Sequence, residues 1–577
     1  EDVFDFSFYT VFRGFYLWRC GTAVSGTHNS TTFSHAACHL NDAYLTYVGG
    51  GNVKVDGTGG WHDAGDYNKY VTNANVTFGV LGKAWEYLRG NFEGINLNLP
   101  ETAPGYPQYL KELKWETDWL LKMQTPDGRV YHKLSSTSFC CDWTMPENNG
   151  EARFYVPYST AATADFVAMM AQAYRLFMPY DPTYANQCLD AARLSYGRIT
   201  TAPDNVNVPA NQTGFSTGSY ATTDTDDRIW AAAEMWESTG EALFLADFEA
   251  RAIAIGEKIT YAMDWGDVRN LGMFTYYFSG REGRNSALVT AIRNAAIAQA
   301  NNYVTAMNSH GYGRIFGDSY WWGVNGAVAR ASLTLYAANR MSPNNNYVNA
   351  GFAILDYIFG RNYNCRSMVT GLGINPPLKP HDRRSANDGI AAPWPGYLIG
   401  GPQPDATSWV DDENDYTTSE IAINWNSALV FALAWLMEDP WMPPPTPTIT
   451  GTPPTSTVTP TITETPTITE THTITPTWTI TETSTVTPTI TLTSTPTITP
   501  TENYSSLAIT SHFSFPNPSK GDRITFRMRN NGYVESLKIR VFTYSDRKIA
   551  EFEAGPFNSG ITNDVEWIPQ NKLGNGL

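Results

Sequence analysis

The sequence lacks the features of membrane and nucleic-acid-binding proteins. It has no uncharged apolar run of about 18 residues, the minimum for a transmembrane helix. Charged residues make up only 16% of its 577 residues, the formal net charge is −17, and no Lys/Arg cluster stands out. We therefore expect a soluble protein with no membrane span and no nucleic-acid partner.

Cysteine is scarce as well. Six Cys in 577 residues do not make a disulfide scaffold. We interpret the neighbouring Cys140 and Cys141 as buried packing residues, with a strained vicinal disulfide as the alternative. The chain begins at Glu1 with neither Met nor a basic and apolar leader, so either a signal peptide has been removed or the numbering starts inside a longer product.

Aromatic residues are abundant. They make up 13% of the chain, with 18 Trp and 32 Tyr. Such a content suits a large hydrophobic core and also flat surfaces on which ring-shaped ligands stack.

Composition divides the chain into three parts. Residues 1–442 have a mixed composition, whereas Thr-Pro and Thr-Ile repeats fill 443–502. Frequent Pro blocks helices and removes donors from β-ladders, so 443–502 is predicted to be an extended linker, with an edge-prone β segment as the alternative. Residues 503–577 alternate polar and apolar residues between Gly and Asn turns, which predicts a small β-sandwich.

The C-terminal part resembles the immunoglobulin-like modules that end many secreted bacterial enzymes, in its Asn517-Pro518 start, its strand pattern and Trp567. It carries no Cys and no catalytic constellation. We therefore expect a structural, sorting or surface-attachment module. Because the chain stops at Gly576-Leu577, we also expect its last strand to be missing.

The first 442 residues are predicted to be mainly helical. Apolar residues recur at helical spacing, and Ser159 is placed to cap a helix that starts at Thr160. About twelve helices fit a helical barrel or toroid whose long loops build a cleft at one end. The clearest predicted helices are 76–90, 108–124, 160–177, 182–199, 228–239, 242–263, 287–308, 322–341, 347–359 and 424–437.

A dense acidic and aromatic segment is GGWHDAGDYNKYV at 59–71. Asp63 and Asp66 are three residues apart, so a tight turn or a helix entrance would direct both carboxylates into one cavity. One of them could then act as a base. The alternative is an ordinary turn with a capping Asp.

A second acidic segment, WVDDENDYTTSEIAINWN at 409–426, precedes an apolar helix. Crowding and partial burial raise a carboxyl pKa, as a general acid near neutral pH requires, and Glu420 at the helix entrance is best placed for this. Calcium binding is the competing interpretation. Between the two segments, the Pro/Gly-rich loop 367–385 carries His381 and Arg383, which can donate hydrogen bonds to a polar substrate.

These three segments, in this order, resemble the glycoside hydrolase family 9 cellulases. The resemblance is carried by the stretches DAGDY, SMVTGLGINPPLKPHDR and WVDDENDYTTSEIAINWNS, and it covers about residues 5–440. It implies an (α/α)6 barrel, which agrees with the predicted helices. It also implies hydrolysis of β-1,4-glucan by inversion in an open cleft.

The resemblance implies a role for each acid. Asp66 resembles the general base that activates water, Asp63 its partner in holding that water, and Glu420 the general acid that protonates the leaving oxygen. In an inverting enzyme the acid and base stand roughly 6.5 to 9.5 Å apart, which leaves room for the water. We expect burial and acidic neighbours to raise the pKa of Glu420. Ser419 and Asn424 stand where the family commonly has Asn and Asp, so hydrogen bonding around Glu420 is expected to differ.

The same resemblance implies substrate contacts. His381 and Arg383 resemble contacts to glucose hydroxyls near the cleaved bond. Trp322 and Trp425 resemble subsite aromatics, because the C–H faces of glucose pack on rings. Core packing is the alternative for both Trp residues.

Two thiols and two imidazoles could form a zinc site: Cys20, Cys38, His39 and His62. Four such ligands close a tetrahedral site, which is normally structural because no position remains for water. Spacing alone leaves a Cys20–Cys38 disulfide open. The resemblance favours zinc, since one bacterial branch of the family with the Arg-Cys-Gly start seen at 19–21 carries such an ion.

The acidic run from Asp224 to Asp227, with Asp264 and Asp267 later, is a second possible metal site. By itself such a run is typical of a helix N-terminus capped by Asp. The family often holds calcium near this point, so the resemblance implies Asp226, Asp227 and Asp267 as calcium ligands.

Together these features predict a secreted, extracellular and monomeric endo-β-1,4-glucanase that acts on β-1,4-glucan polysaccharide. One alternative is the same fold acting on another β-linked glycan or from chain ends. The other is a non-catalytic glycan-binding surface protein. An intact acid and base argue against the last, because a binding protein needs neither.

Overall fold

The computed structural model describes residues 3–101, 105–139, 143–203, 205–206 and 212–437, and short segments between 509 and 567. Cys140, Cys141 and the whole predicted linker at 443–502 lie outside the described residues. A helical unit and a group of C-terminal strands are described separately.

The described part of the helical unit contains fourteen α-helices. They are α1 (Val3–Leu17), α2 (Val71–Leu88), α3 (Gln108–Lys122), α4 (Thr160–Phe177), α5 (Pro182–Thr201), α6 (Thr225–Thr239), α7 (Ala242–Ala254), α8 (Arg269–Phe278), α9 (Ser286–Ser309), α10 (Val324–Met341), α11 (Asn345–Phe359), α12 (Arg383–Asn387), α13 (Tyr416–Ser419) and α14 (Ile423–Leu436).

Six helices, α2, α4, α6, α8, α10 and α14, are mostly or almost wholly buried and form an inner ring. A helix that is buried on all sides belongs to a core rather than to a surface. Contacts run from α2 through α4 and α6 to α8, and α10 contacts α14, which returns to α2. Helices α1, α3, α5, α7, α9 and α11 pack against this ring from outside. The predicted (α/α)6 barrel is confirmed.

The sequence predicts some helix ends correctly and others wrongly. The Ser159 hydroxyl accepts a 3.0 Å hydrogen bond from the Ala162 backbone N–H, which confirms the predicted cap. The predicted helix over 242–263 is wrong, because α7 ends at Ala254 and Ile255 takes an extended backbone before Gly256. Helices α1 and α8 were not predicted.

Short strands lie beside the barrel. Strands β1 (Val24–His28) and β2 (Thr31–His35) form an antiparallel pair. Strands β3 (Lys69–Tyr70), β4 (Lys133–Ser135) and β5 (Phe154–Tyr155) form a sheet in that order. Because β3 lies at the end of the acidic segment 59–71 and runs into α2, this sheet fixes that end of the segment against the barrel.

The C-terminal strands are β6 (Ile509–Phe515), β7 (Ile524–Asn530), β8 (Leu537–Phe542), β9 (Lys548–Ala554) and β10 (Thr562–Trp567). One sheet has the order β10-β7-β6, and β8 pairs with β9. The immunoglobulin-like arrangement stays a prediction. Among the residues that the structure describes, no helix has both the length and the apolar character needed to cross a membrane.

Candidate active site

Backbone hydrogen bonds join the three segments singled out in the sequence. The Ile423 N–H, at the start of α14, donates to the carbonyl of Asp63 at 2.9 Å. The His381 N–H donates to the carbonyl of Ser419 at 2.8 Å. The Arg383 N–H donates to the carbonyl of Gly65 at 3.2 Å, so the loop 367–385 contacts both acidic segments.

One cavity of about 580 Å³ is lined by two of the three acids proposed from the sequence, Asp66 and Glu420. Asp63 is not part of the lining and is only 2% exposed. The complete lining consists of aromatic, acidic and basic side chains: Asp66, Phe139, Trp143, Trp322, His381, Arg383, Tyr416 and Glu420.

Asp63 and Asp66 are held by different partners. The Asn73 amide and the Tyr220 phenol each donate to Asp63, both at 2.7 Å. Burial, together with the charge of Asp66, raises the pKa of Asp63 to about 8. Asp66 accepts a 2.6 Å hydrogen bond from the amide of Asn68. The two carboxyl groups thus differ in environment, as a pair with two roles requires.

Glu420 stands between α13 and α14, with extended backbone. Burial raises its pKa well above the ordinary glutamate value, and the charges of Asp66 and Asp63 add to the shift. The nearby Trp322 indole acts in the opposite direction. The direction predicted from the sequence is therefore found, and Glu420 can carry a proton near neutral pH.

His381 lies between two aromatic walls. Its ring meets Trp143 edge-on at 5.1 Å on one side and Tyr416 at 6.0 Å on the other. Its Nδ1 lies 2.6 Å from the carbonyl of Glu413, which fixes the ring orientation. The Arg383 guanidinium lies 5.7 Å from the Tyr67 ring centre.

The two tryptophans predicted as subsites differ. Trp322 is 50% exposed and lines the cavity. Trp425 is 6% exposed, and Gly323 and Gly326 approach its ring so closely that a Cβ would collide with it. A subsite role for Trp425 stays a prediction, while its packing is that of a core residue.

Sequence reasoning missed several residues of this site. Phe139 and Trp143 form one wall of the cavity, and Tyr220 and Asn73 hold Asp63. No local pattern identifies them, because they come from separate loops and from α2. Tyr416, which also lines the cavity, was not proposed as a site residue either, although it lies within the acidic segment 409–426.

The four proposed zinc ligands meet in one place. One ligand atom each of Cys20, Cys38, His39 and His62 lies within 4.8 Å of all the others. Both thiols are free, so the alternative Cys20–Cys38 disulfide is not formed. His62 directly precedes Asp63, which places the cluster behind the acidic pair.

The chemistry of this cluster fits a bound metal ion. Both ring nitrogens of His39 and Nδ1 of His62 are buried, and none has a hydrogen-bond partner among the described residues. Burial lowers the pKa of His62 to about 3, so its imidazole is neutral and able to coordinate. Two thiols and two neutral imidazoles are a donor set that divalent zinc accepts.

The three proposed calcium ligands have separate partners, unlike the four proposed zinc ligands. Asp226 accepts a 2.7 Å hydrogen bond from the Val268 N–H, and burial followed by the charge of Asp267 raises its pKa to about 7. Asp267 forms an ion pair with Arg269 at 2.8 Å. Asp227 faces Asp165 instead, and both carboxyl groups are buried. A calcium site at Asp226, Asp227 and Asp267 stays a prediction.

Comparison with known proteins agrees with this architecture. The sequence profile of glycosyl hydrolase family 9 matches residues 6–433. Endoglucanase D of Acetivibrio thermocellus is 54% identical over 436 residues, which cover 75% of this chain and 69% of that protein.

Two solved structures are similar. A metagenome-derived glycoside hydrolase family 9 endoglucanase is 34% identical with a TM-score of 0.71, covering 75% of this chain and 81% of that one. A Zn-binding triple mutant of the family 9 endoglucanase J30 is 30% identical with a TM-score of 0.71, covering 76% and 85%. Profile, sequence and fold agree, and the chain belongs to glycosyl hydrolase family 9.

Proposed function

We propose that this protein is an endo-β-1,4-glucanase that hydrolyses internal bonds of cellulose and related β-1,4-glucans by single-step inversion. Family membership and the 54% identity to an endoglucanase support the reaction. The observation that carries the assignment of roles is the single cavity lined by both Asp66 and Glu420.

Glu420 is the general acid. Its raised pKa keeps the carboxyl protonated at a pH where an ordinary glutamate has lost its proton. It donates that proton to the glycosidic oxygen as the bond to the sugar breaks.

Asp66 is the general base, and Asp63 helps to hold the attacking water. Asp66 takes one proton from the water while the oxygen attacks the sugar carbon on the face opposite to the leaving oxygen. Asp63 cannot rotate freely, because Asn73 and Tyr220 each donate to one of its oxygens. The water is therefore oriented by a fixed partner, which lowers the entropic cost of the attack.

The cavity walls position the glucan. Trp322 offers an exposed ring on which the C–H face of a glucose unit packs, while His381 and Arg383 offer polar contacts to hydroxyl groups. Trp425 is retained as a subsite residue by resemblance alone.

Zinc, held by Cys20, Cys38, His39 and His62, has a structural role in this proposal. Such an ion supplies cross-linking rather than reaction chemistry, because four protein ligands leave no open position. It fixes the segment that carries Asp63 and Asp66. Calcium at Asp226, Asp227 and Asp267 completes the proposed metal content.

We also propose the organisation and location expected from the sequence. A catalytic domain over 1–442 is followed by the linker at 443–502 and an immunoglobulin-like module over 503–577. The protein works outside the cell as a monomer, and the last module serves in sorting or surface attachment.

The test is loss of viscosity and release of reducing sugar from carboxymethyl cellulose, for the parent chain, Asp66→Asn and Glu420→Gln. We expect rapid viscosity loss in the parent, and losses of at least about a hundredfold in both variants. The first products, followed by nuclear magnetic resonance, should have the α configuration.

Other outcomes separate the alternatives. Sugar release with little viscosity loss indicates action from chain ends, and activity confined to another β-linked glycan identifies that substrate. Binding of glucan without any hydrolysis by the parent contradicts the enzyme assignment and supports a binding protein.

A further inference from the structure

Lys133 is a fully buried lysine on β4. All acceptors of its ammonium group are neutral. Among the described residues they are the side-chain oxygen of Gln212, the hydroxyl of Thr217 at 2.9 Å, the carbonyl of Thr217 at 3.5 Å and the carbonyl of Gly218 at 2.8 Å. Burying a charge is costly unless it is offset, so such a group needs a counter-charge or a function.

The described residues include two other fully buried lysines, and these are ordinary ion pairs. Lys83 lies 3.1 Å from Glu234 and 2.8 Å from Glu86. Lys69 lies 3.7 Å from Asp42. Lys133 shows no such pair within the part of the chain that the structure describes.

The negative charges that act on Lys133 are those of the proposed catalytic pair. Burial lowers its pKa to about 7, and the charges of Asp66 and then Asp63 oppose that shift. Lys133 also pairs with Tyr70 across β3 and β4, and its ammonium lies 5.4 Å from the Tyr70 ring centre. The cation therefore stands behind the segment that carries both aspartates.

The loop that Lys133 anchors ends on a partner of Asp63. Residues 212–220 lie across β4, where the Ser135 and Thr217 hydroxyls are 2.7 Å apart and His132 Nε2 is 2.8 Å from the carbonyl of Ser219. Tyr220 follows and donates its phenol hydrogen to Asp63 at 2.7 Å.

We propose that Lys133 is a positioning residue for the Asp63/Asp66 pair, and that it acts through the loop 212–220 and through its charge. The ammonium keeps Tyr220 on Asp63, and its positive charge attracts the negative charge of the pair. Lys133 does not line the cavity, so it contacts no substrate. The inference rests on the proposed function, because it assumes that Asp63 and Asp66 act on that water.

The test uses the full chain with Lys133→Met, Tyr220→Phe and the double variant. Each is assayed on a soluble cellodextrin and on an aryl cellobioside with a good leaving group, well below its melting temperature. Misplacing a reacting group by 1 Å can cost about a hundredfold, so we expect Lys133→Met to lower kcat by about ten- to a hundredfold. KM should stay within about twofold, because no substrate contact is lost.

Two comparisons distinguish positioning from a merely structural role. Because Lys133 acts through Tyr220, the double variant should lose no more than the larger of the two single losses. The aryl cellobioside needs little help from a general acid, because its leaving group departs easily. It should therefore restore most of the activity of Glu420→Gln, which lacks the acid, but none of the activity lost in Lys133→Met, which retains it. Lys83→Gln, which removes a buried lysine far from the cavity, should lower the melting temperature and leave kcat unchanged.

The proposal is overturned if folded Lys133→Met keeps kcat within about twofold of the parent. It is also overturned if the fold loss of kcat in the double variant equals the product of the losses in the two single variants. Where Lys133→Met does not fold, Lys133→Gln, which is neutral but retains a donor, is judged by the same criteria. If Asp66→Asn keeps normal activity, the proposed function itself is wrong. If Asp66→Asn is inactive but the Lys133 variant keeps normal activity, only the inference about Lys133 is wrong.

Discussion

The backbone carbonyl of Asp63 accepts a 2.9 Å hydrogen bond from the N–H of Ile423, three residues beyond Glu420. Asp63 comes from the loop before α2, and Ile423 begins α14, the last inner helix. The bond ties the loop of the proposed base to the segment of the proposed acid. The relative position of acid and base is thus set by the main chain and not by flexible side chains.

Gly65 is expected to tolerate no side chain. A Cβ at Gly65 would lie 2.1 Å from the carbonyl oxygen of His381, far inside contact distance, so Gly65→Ala must push the two loops apart. We expect kcat to fall by about a hundredfold. The matched control is Gly197→Ala in α5, where no described atom outside the backbone of its own helix lies within 4 Å of the added Cβ. It should keep full activity and gain about 0.5 to 1 kcal/mol of stability. A Gly65→Ala enzyme with parental kcat contradicts the close approach.

Trp322 is expected to lower the upper pH limit of activity. Its indole, a hydrogen-bond donor beside Glu420, lowers the pKa of Glu420 against the larger effect of burial. In Trp322→Phe that donor is lost, the pKa of Glu420 rises further, and the acid stays protonated to higher pH. The alkaline limb of kcat should therefore move upward. Tyr416→Phe, which keeps a ring in the same wall, is the control and should leave the limb in place. A downward shift in Trp322→Phe would contradict this role.

Glu116 is expected to make stability depend on pH. Its side chain is buried, accepts a 2.7 Å hydrogen bond from the Trp61 N–H, and has a pKa raised by burial to about 8. Its unfolded value is about 4.3. Since the folded value is the higher one, its contribution to stability is complete below about pH 4 and is lost as pH rises to about 8.

The variant Glu116→Gln keeps an acceptor for Trp61 but cannot ionise. Relative to the parent, it should gain about 2 to 5 kcal/mol of unfolding free energy between pH 5 and pH 8.5. Thermal unfolding at both pH values measures this, with the exposed Glu257→Gln as control. If the difference in unfolding free energy between Glu116→Gln and the parent does not change with pH, Glu116 is ionised in the folded protein.

The Cys/His cluster is expected to hold one zinc ion per chain. Cys20→Ser should abolish that content and lower the melting temperature by at least about 5 °C, because the ion stabilises only the folded chain. Elemental analysis of the purified protein measures the metal. Cys188→Ser, buried but outside the cluster, should retain the ion. Zinc retained in Cys20→Ser would show that this thiol is not a ligand.

Much of this protein is determined by local sequence. Helical periodicity predicts most of the barrel, and the Ser159 cap forms as expected, because both depend on residues within one or two turns. The three motif segments include the acids that line the cavity, and the Cys and His residues of the metal cluster are visible as residue types. The end of α7 was missed, although Gly256 directly follows the capping residue Ile255 and is a local signal for a helix end.

Only the tertiary structure decides which of these residues meet. Trp322 and Trp425 look alike in the sequence, yet one is exposed in the cavity and the other is packed under Gly323. Tyr220 and Lys133 belong to no motif, and they join the site because a loop folds across β4. Periodicity and capping act over a few residues. Closing a ring of helices brings distant loops together, and it is this closure that gives each carboxyl group its hydrogen-bond partners, its burial and its neighbouring charges.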